Sequence, residues 1–340
     1  MTTGVMLFPI FVRQGKSRTR FKVGYINQTG NVVIDPKYDE GTNFYEGLAS
    51  VKVGNRWGII NFAGDFLIQP STWGWCRFRE GLASISVKGK WGIIDRRGEF
   101  VVTPRYDYIG PFRDGLAVFG LGEANHRRYG FLNKNGSEAI PPVFHDAEEF
   151  SEGLAAVRVG ELWGYVATSG VFQITPQFDG SGKGKRWPDT RAGRFVEGFA
   201  PVWVGQDQYR FIDTTGAFAF DVTFGDANSF CESRAVVEQH NRYGFIDTDG
   251  MMVIECRFSL VRDFSEGLAR VKEGENKLGT IAPSGFIDSH GKMVLPPYFY
   301  SAASFRNGLC FVETEDSIGY IDRRGEFVWQ GPHVEYGVLL

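Results

Sequence analysis

A segment of about 34 residues recurs along this chain of 340 residues and constrains its fold more than any other feature. The clearest copy runs from Phe78 to Asp107 and reads FREGLASISVKGKWGIIDRRGEFVVTPRYD. One glycine recurs at the same place of each copy: Gly30, Gly64, Gly98, Gly136, Gly170, Gly216, Gly250, Gly291 and Gly325. A period of this length is typical of repeat proteins, whose neighbouring units stack and share a core.

The first half of the copy predicts a β-hairpin. Apolar residues alternate with other residues from Leu82 to Val87, which is the period of a strand. Lys88-Gly89 then predicts a tight turn, because glycine tolerates the positive φ that two-residue hairpins require. A second strand is expected from Lys90 to Asp95.

The second half predicts a further turn and a further strand. Asp95 to Gly98 has the residues of a type I turn, and Phe100 to Thr103 predicts a third strand that stops at Pro104. The glycine of Trp91-Gly92 is expected to leave room for an aromatic ring over bare backbone. Each unit is therefore predicted to be a three-stranded antiparallel meander, with a short fourth edge around Tyr106 as an option.

The whole chain, 1–340, is predicted to be a single repeat domain of nine units. Their approximate bounds are 1–43, 44–77, 78–111, 112–149, 150–179, 194–229, 230–263, 264–304 and 305–340. An insertion at 180–193, GSGKGKRWPDTRAG, separates the fifth unit from the sixth. Because connections longer than about 12 residues are often functional, this loop is the outstanding irregularity.

The insertion and the strand after it supply the residues predicted to contact a partner, and a solvated insertion without a role is the alternative. These residues are Lys183, Lys185, Arg186, Trp187, Arg191 and Trp203. Trp203 is included because other units carry polar residues at its position, which predicts a solvated face: Lys52, Ser86, Arg158 and Lys272. Exposed tryptophans are enriched at binding hot spots.

Composition excludes several classes of function. The net charge of −3 and the pI near 6.0 give no reason to expect nucleic acid or an anionic membrane as partner. The N-terminal sequence is a poor signal peptide, and no stretch is apolar for long enough to span a bilayer. Four cysteines without C-x-x-C spacing predict reduced thiols, a cytoplasmic location and no metal or other cofactor.

The recurrence of acidic residues argues against an enzyme. A carboxylate precedes a glycine in most units, whereas a catalytic pair is needed once, so these residues are expected to build turns. The aromatic residues before the second-strand glycine are expected to pack in the core: Trp57, Trp91, Tyr129, Trp163, Tyr209 and Tyr243. A ladder of these rings stacking on sugars is the alternative.

The recurring pattern F-x-E-G-L-A-x-V, K-W-G-[YFI]-I-D-x-x-G-x-V-V and P-x-[YF]-D resembles the bacterial WG-repeat family, also called KWG repeats. The resemblance covers nearly the whole chain. It departs at Val23, Ser284 and Ile318, which replace the aromatic residue, and at Arg210, which replaces the glycine. The resemblance implies a binding or interaction module, sometimes encoded beside toxin systems.

Two architectures and two functions follow as expectations. An open, solenoid-like superhelical array is favoured over a closed β-propeller, because about 34 residues is short for a four-stranded blade. The function expected first is a non-enzymatic scaffold that binds a protein, with neutralisation of a toxin as one version. A module that binds carbohydrate or the cell envelope through exposed aromatic residues is the alternative.

Overall fold

The computed structural model describes residues 6–14, 21–179, 192–206, 208–274 and 282–332. The chain divides into two compact parts, which are described separately: an N-terminal part, Met1–Pro176, and a C-terminal part, Gln177–Leu340. The described residues form antiparallel β-sheets, with one turn of 3-10 helix at Ala124–His126. The all-β prediction is therefore confirmed.

The N-terminal part holds five sheets, each built from strands consecutive in the chain. The first comprises β1 (Phe8–Arg13), β2 (Phe21–Ile26) and β3 (Val32–Tyr38). The second comprises β4 (Glu40–Gly41), β5 (Ala49–Val53), β6 (Arg56–Ile60) and β7 (Phe66–Ser71). The third comprises β8 (Leu82–Val87), β9 (Lys90–Asp95) and β10 (Phe100–Tyr106). The fourth comprises β11 (Tyr108–Arg113), β12 (Leu116–Leu121), β13 (Arg128–Asn133) and β14 (Glu138–Phe144). The fifth comprises β15 (Asp146–Ala147), β16 (Leu154–Val159), β17 (Leu162–Ala167) and β18 (Phe172–Asp179).

The C-terminal part continues the same strand order. The sixth sheet comprises β19 (Phe199–Gly205) and β20 (Gln208–Asp213). The seventh comprises β21 (Asp226–Ala227), β22 (Ala235–Gln239), β23 (Arg242–Ile246) and β24 (Met252–Phe258). The eighth comprises β25 (Leu260–Val261), β26 (Ala269–Lys272), β27 (Ser284–Ile287) and β28 (Met293–Phe299). The ninth comprises β29 (Ser301–Ala302), β30 (Cys310–Glu313), β31 (Ser317–Ile321) and β32 (Phe327–Pro332).

The hairpin prediction is confirmed in the third sheet. β8 and β9 have the predicted bounds, and Lys88 and Gly89 take φ values of 50° and 81° in the turn between them. β10, however, continues past Pro104 to Tyr106. Proline is tolerated there because β10 is an edge strand whose register against β9 shifts between Val102 and Tyr106.

Most sheets have a fourth strand, so the prediction of three-stranded units is wrong for them. This strand precedes the Phe-x-Glu-Gly opening and pairs with the first strand of the hairpin that follows, as Gly41 pairs with Val51. It lies at the opposite edge from the one expected near Tyr106, and it is only two residues long in five of its six occurrences. Because this strand is so short, about 34 residues are enough for four strands. The length of the repeat is therefore no argument against a four-stranded propeller blade. The favoured open superhelical array is not supported.

The core lies between consecutive sheets. Phe78, at the start of the third sheet, is 2% exposed and packs with Leu48, Ile59 and Ile68 of the second sheet. The turn glycine contributes to this contact, because a Cβ at Gly98 would lie 3.1 Å from Ile68. Gly98 also has φ of 84°, so both packing and backbone conformation require glycine.

Backbone crowding, more than an aromatic ring, explains the glycine of Trp91-Gly92. A Cβ at Gly92 would lie 2.5 Å from the carbonyl oxygen of Val102 and 2.9 Å from the nitrogen of Pro104. The predicted ring over bare backbone occurs at Gly58, where Phe66 would be 2.8 Å from the added atom. The bulged edge strand therefore approaches the second strand too closely for any side chain at Gly92.

Candidate functional site

Most of the predicted contact residues lie outside the described residues. They are Lys183, Lys185, Arg186, Trp187 and Arg191, within residues 180–191. The next described residue, Ala192, pairs with Val202 of β19. The role of these five side chains stays a prediction.

Trp203 is buried, so the prediction that it lies on a solvated face is wrong. Its side chain is 8% exposed and belongs to a core cluster with Tyr209, Phe211 and Phe224. Within β19 and β20 it stands opposite Tyr209. The polar residues of other units did not indicate its environment, because the sixth sheet packs aromatic residues around this position.

The recurring acidic residues build turns, as predicted. Glu80 and Gly81 have φ values of 52° and 82°, and Arg79 and Leu82 exchange two backbone hydrogen bonds across them. These are the features of a two-residue hairpin turn with positive φ at both central positions. The acidic residue thus occupies a conformation that few side chains adopt.

The same carboxylates also connect consecutive sheets. Glu46 accepts the backbone N–H groups of Glu80 at 2.5 Å and Gly81 at 2.9 Å. Glu80 in turn accepts the N–H of Gly115, and Asp114 accepts the N–H of Gly153. We call this series the acidic ladder; in the C-terminal part its steps start from Glu197, Glu232 and Glu266. Each turn is therefore tied to the next by the side chain that helps to form it.

Basic residues reinforce the ladder in the N-terminal part. Lys134 Nζ lies 2.9 Å from Glu80 Oε2, and Arg96 Nη1 lies 3.7 Å from Glu46 Oε2. Burial opposes ionisation of Glu80, but the hydrogen bonds from Lys134 and Gly115 outweigh it and hold the pKa of Glu80 below its ordinary value. Glu80 is a stabilised carboxylate, whereas a general acid would need its pKa raised.

The aspartate that ends the P-x-[YF]-D pattern caps the opposite end of the next sheet. Asp107 Oδ2 accepts the N–H of Gly122 at 2.9 Å, and Lys90 donates to Asp107 Oδ1 at 2.5 Å. These two bonds hold the pKa of Asp107 below its ordinary value. His145 fills the same role in the fifth sheet, where its Nδ1 accepts the N–H of Gly160.

An open cleft forms in the C-terminal part where this cap is missing. Gly225 stands at the position of Asp107, where seven of the other repeats carry a side chain: Asp39, Trp73, Asp107, His145, Asp179, Ser259 and Tyr300. The cleft has a volume of about 460 Å³. Its lining is mostly polar and comprises Gln206, Gln208, Thr223, Phe224, Gly225, Glu238, Gln239, His240 and Asn241.

Glu238 replaces the missing cap from its own hairpin. Its side chain reaches over Gly225, where an added Cβ would lie 2.1 Å from Glu238 Oε2. The backbone N–H of Asn241 donates to Glu238 Oε1, which satisfies the turn at His240 and Asn241. The residue is only 6% exposed, yet it lines the cleft. Sequence reasoning missed this pair, although the loss of a side chain at Gly225 was a visible signal.

A tryptophan that sequence reasoning missed is the most exposed aromatic side chain of its part. In the third sheet Trp73-Gly74-Trp75 replaces the Asp107-Tyr108-Ile109 of the next repeat, and no fourth strand forms. Trp73 packs edge-on against Phe100 with ring centroids 6.0 Å apart, whereas Trp75 is 58% exposed. Its unusual sequence context was the available signal.

Arginine side chains cluster beside this segment. The Arg77 guanidinium lies 4.0 Å from the ring centre of Tyr45, and that of Arg79 lies 5.5 Å from it. Burial, and then the neighbouring charges of Arg113 and Arg77, lower the pKa of Arg79. We call Trp75 together with Arg77, Arg79 and Arg113 the Trp75 surface. Arg113 is paired with Glu149 at 2.9 Å, so the positive charge of this surface comes from Arg77 and Arg79, near the exposed side chain of Trp75.

The rings of the WG motif are only partly in the core. Trp163 and Tyr209 are buried, whereas the other four are half-buried: Trp57, Trp91, Tyr129 and Tyr243. Trp91, Tyr108 and Tyr129 make successive edge contacts at 6.0 and 6.4 Å. Core packing therefore describes two of the six predicted rings fully.

The cysteines and the possible metal ligands were examined among the described residues. The four cysteines are unpaired, and burial raises the pKa of Cys76 to about 11 and of Cys310 to about 12. Among the described residues there is no group of three or more His, Cys, Asp or Glu side chains arranged to hold a metal ion. None of the described helical residues forms a segment long and apolar enough to cross a bilayer.

The fold defines a class of proteins made of short, stacked antiparallel sheets, one per repeat. The sequence matches the WG containing repeat at residues 24–57, 57–91, 91–123, 129–163, 243–276 and 285–316. These segments make up more than half of the chain. The chain belongs to the family of WG-repeat proteins.

Similarity to solved structures is distant. BamB from Moraxella catarrhalis is 10% identical with a TM-score of 0.44, covering 85% of this chain and 97% of that chain. Apo AztD from Citrobacter koseri is 14% identical with a TM-score of 0.42, covering 85% and 94%. Hsv2p from Kluyveromyces lactis is 10% identical with a TM-score of 0.41, covering 79% and 93%. Similarity at this level does not assign a function. No curated protein matches the chain.

Proposed function

We propose that this protein is a non-enzymatic scaffold that binds a protein partner through the Trp75 surface. The observation that carries the proposal is the 58% exposure of Trp75 within a segment that departs from the repeat. Tryptophan and arginine are enriched among the residues that dominate binding energy at interfaces. The partner is expected to present an apolar pocket bordered by acidic side chains, which complement Arg77 and Arg79.

The regular part of each repeat serves as the support for this surface. The four-stranded sheets, with strands consecutive in space as in sequence, have the form of β-propeller blades, and we propose that they act as such. The carboxylates that could have suggested acid–base catalysis are used as backbone acceptors by neighbouring turns. This use supports a protein without enzymatic activity.

Neutralisation of a toxin by covering its active surface is one concrete form of this proposal, and it rests on the family resemblance alone. A cytoplasmic location stays a prediction; the unpaired cysteines are compatible with it. The half-buried rings of Trp91, Tyr108 and Tyr129 support carbohydrate binding as a second candidate function.

Affinity capture from a lysate of the source organism tests the proposal. The wild-type chain and Trp75→Ala are used as baits, and the captured proteins are quantified by mass spectrometry. We expect at least one protein with an acidic surface to be enriched by the wild type and lost with the variant. Equal capture by both baits would contradict the role of Trp75. Enrichment of glycans or glycoproteins by both would favour the carbohydrate alternative.

A further inference from the structure

The cleft at Gly225 contains a buried carboxylate that is only half used. Glu238 Oε1 accepts the N–H of Asn241, but no described donor pairs with Glu238 Oε2. The side chain is 6% exposed, and no described Lys or Arg makes an ion pair with it. A carboxylate oxygen without a hydrogen-bond donor, on a side chain that is otherwise packed in place, can accept a charge-assisted hydrogen bond from a cationic group that enters the cleft.

The remaining lining fits a ligand that donates several hydrogen bonds. Four carboxamide side chains surround the cleft, and their oxygens accept hydrogen bonds without adding charge: Gln206, Gln208, Gln239 and Asn241. The Glu238 carboxylate in this lining would repel an anionic ligand.

We propose that this cleft binds a guanidinium or ammonium group, with Glu238 as its charged acceptor. The chemistry is shared by a free cationic metabolite and by an arginine or lysine side chain of a protein. The site lies on β20, β22 and the loops beside them in the C-terminal part, and it does not depend on the Trp75 surface. Binding of a cationic group in this cleft is a second function, separate from the scaffold function proposed above.

The origin of the cleft supports a built site. In the following sheet the same two positions are held by Ser259 and Lys272, whose backbone atoms make the bond that Gly225 and Glu238 make. In the ninth sheet Tyr300 and Glu313 hold these positions, so the glycine is the change that is particular to this cleft, and Glu238 Oε2 lies over it. Because residue 225 has no side chain, the cleft is open there, and Glu238 places a carboxylate acceptor beside it.

Titration followed by NMR tests the proposal on the full chain. Methylguanidinium and methylammonium serve as small cationic probes, glucose as a neutral probe, and a short arginine-containing peptide as the probe for a protein side chain. We expect saturable shifts of the side-chain amides of Gln206, Gln208 and Gln239 with a cationic probe. The free cations and the peptide separate the two sources by their relative affinity.

Variants make the result specific. Glu238→Gln keeps the shape of the side chain and should weaken binding by about tenfold or more, since a charge-assisted hydrogen bond is lost. Glu255→Gln removes an exposed carboxylate outside the cleft and should leave binding unchanged. The double variant Gly225→Ser with Glu238→Lys restores the arrangement of the next sheet, so it should fold and lose binding. Equal binding by wild type and Glu238→Gln, a response to glucose alone, or no response at millimolar concentration would overturn the proposal.

Discussion

The glycine of the Trp-Gly motif, after which the family is named, is explained by its closest neighbours. Gly92 does not have a positive φ. Glycine recurs at this position of the repeat because there is no room for a side chain. The carbonyl oxygen of Val102 and the ring of Pro104 occupy the volume that a side chain would need. The glycine and the edge-strand proline are therefore one structural device.

Substitution of this glycine should be costly. Gly92→Ala is expected to lower the free energy of unfolding by about 3 kcal/mol, because backbone atoms cannot move aside as a flexible side chain can. Gly74→Ala is the matched control, since nothing lies within 4 Å of an added Cβ there. It should change stability by less than about 0.5 kcal/mol. Denaturant unfolding of both variants checks the difference, and similar values for the two would contradict the explanation.

Asp107 should give a pH-dependent contribution to stability. Its pKa is lowered in the folded state by the hydrogen bond from Lys90, so the contribution is present above the unfolded pKa of about 4. It is lost as pH falls through the lower folded pKa. Because the pair is partly exposed, Asp107→Asn should cost no more than about 1 kcal/mol at pH 7 and almost nothing near pH 2.

Urea unfolding at several pH values measures this effect. Glu99→Gln serves as the control for loss of one exposed negative charge in the same sheet. A cost for Asp107→Asn that stays constant from pH 7 to pH 2 would show that the ion pair with Lys90 is not its source.

The acidic ladder is the main connection between elements. Glu232 accepts the N–H groups of Glu266 at 2.6 Å and Gly267 at 2.8 Å, one with each carboxylate oxygen. Glutamine offers only one acceptor oxygen, and its NH₂ group would face a donor. Glu232→Gln should therefore destabilise the C-terminal part by about 1 to 2 kcal/mol.

Glu255→Gln is the matched control for this prediction, because Glu255 is exposed on the edge strand β24 of the same sheet. Thermal unfolding of the two variants gives the comparison. Equal melting temperatures would show that the ladder is a consequence of the turn geometry and adds no stability.

Sequence reasoning predicted the elements that depend on local chemistry. The strands around Lys88-Gly89 and the turn from Asp95 to Gly98 follow from alternation and from glycine, and the structure has them. The fourth strand escaped prediction because it is two residues long and its partner belongs to the next hairpin. No local pattern signals a strand that short.

The candidate sites were predictable only in part. Trp203 was expected to be exposed from the polar residues of other repeats, but its burial depends on Tyr209 and Phe224, which pack with it only in the folded chain. Sequence reasoning did not select Trp75 or Gly225, although both depart from the repeat, because the exposure of Trp75 and the position of Glu238 over Gly225 depend on the folded chain.

In the whole molecule, the residues that stabilise the fold and the residues proposed to bind a partner occupy different positions of the repeat. Regular positions hold the sheets together through the buried phenylalanines, the turn glycines and the acidic ladder. Exposed side chains at irregular positions are then free to act on a partner. An exposed apolar residue at a regular position, such as Val171 at 65% exposure, should have no such role.

Comparison of three baits in affinity capture tests this separation most directly: the wild-type chain, Trp75→Ala and Val171→Ala. Both substitutions remove an exposed apolar side chain from the N-terminal part, so they are matched in their expected effect on folding. The account predicts that Val171→Ala captures the same protein as the wild type, whereas Trp75→Ala loses it. Loss with both variants, retention with both, or no protein captured by the wild type would contradict it.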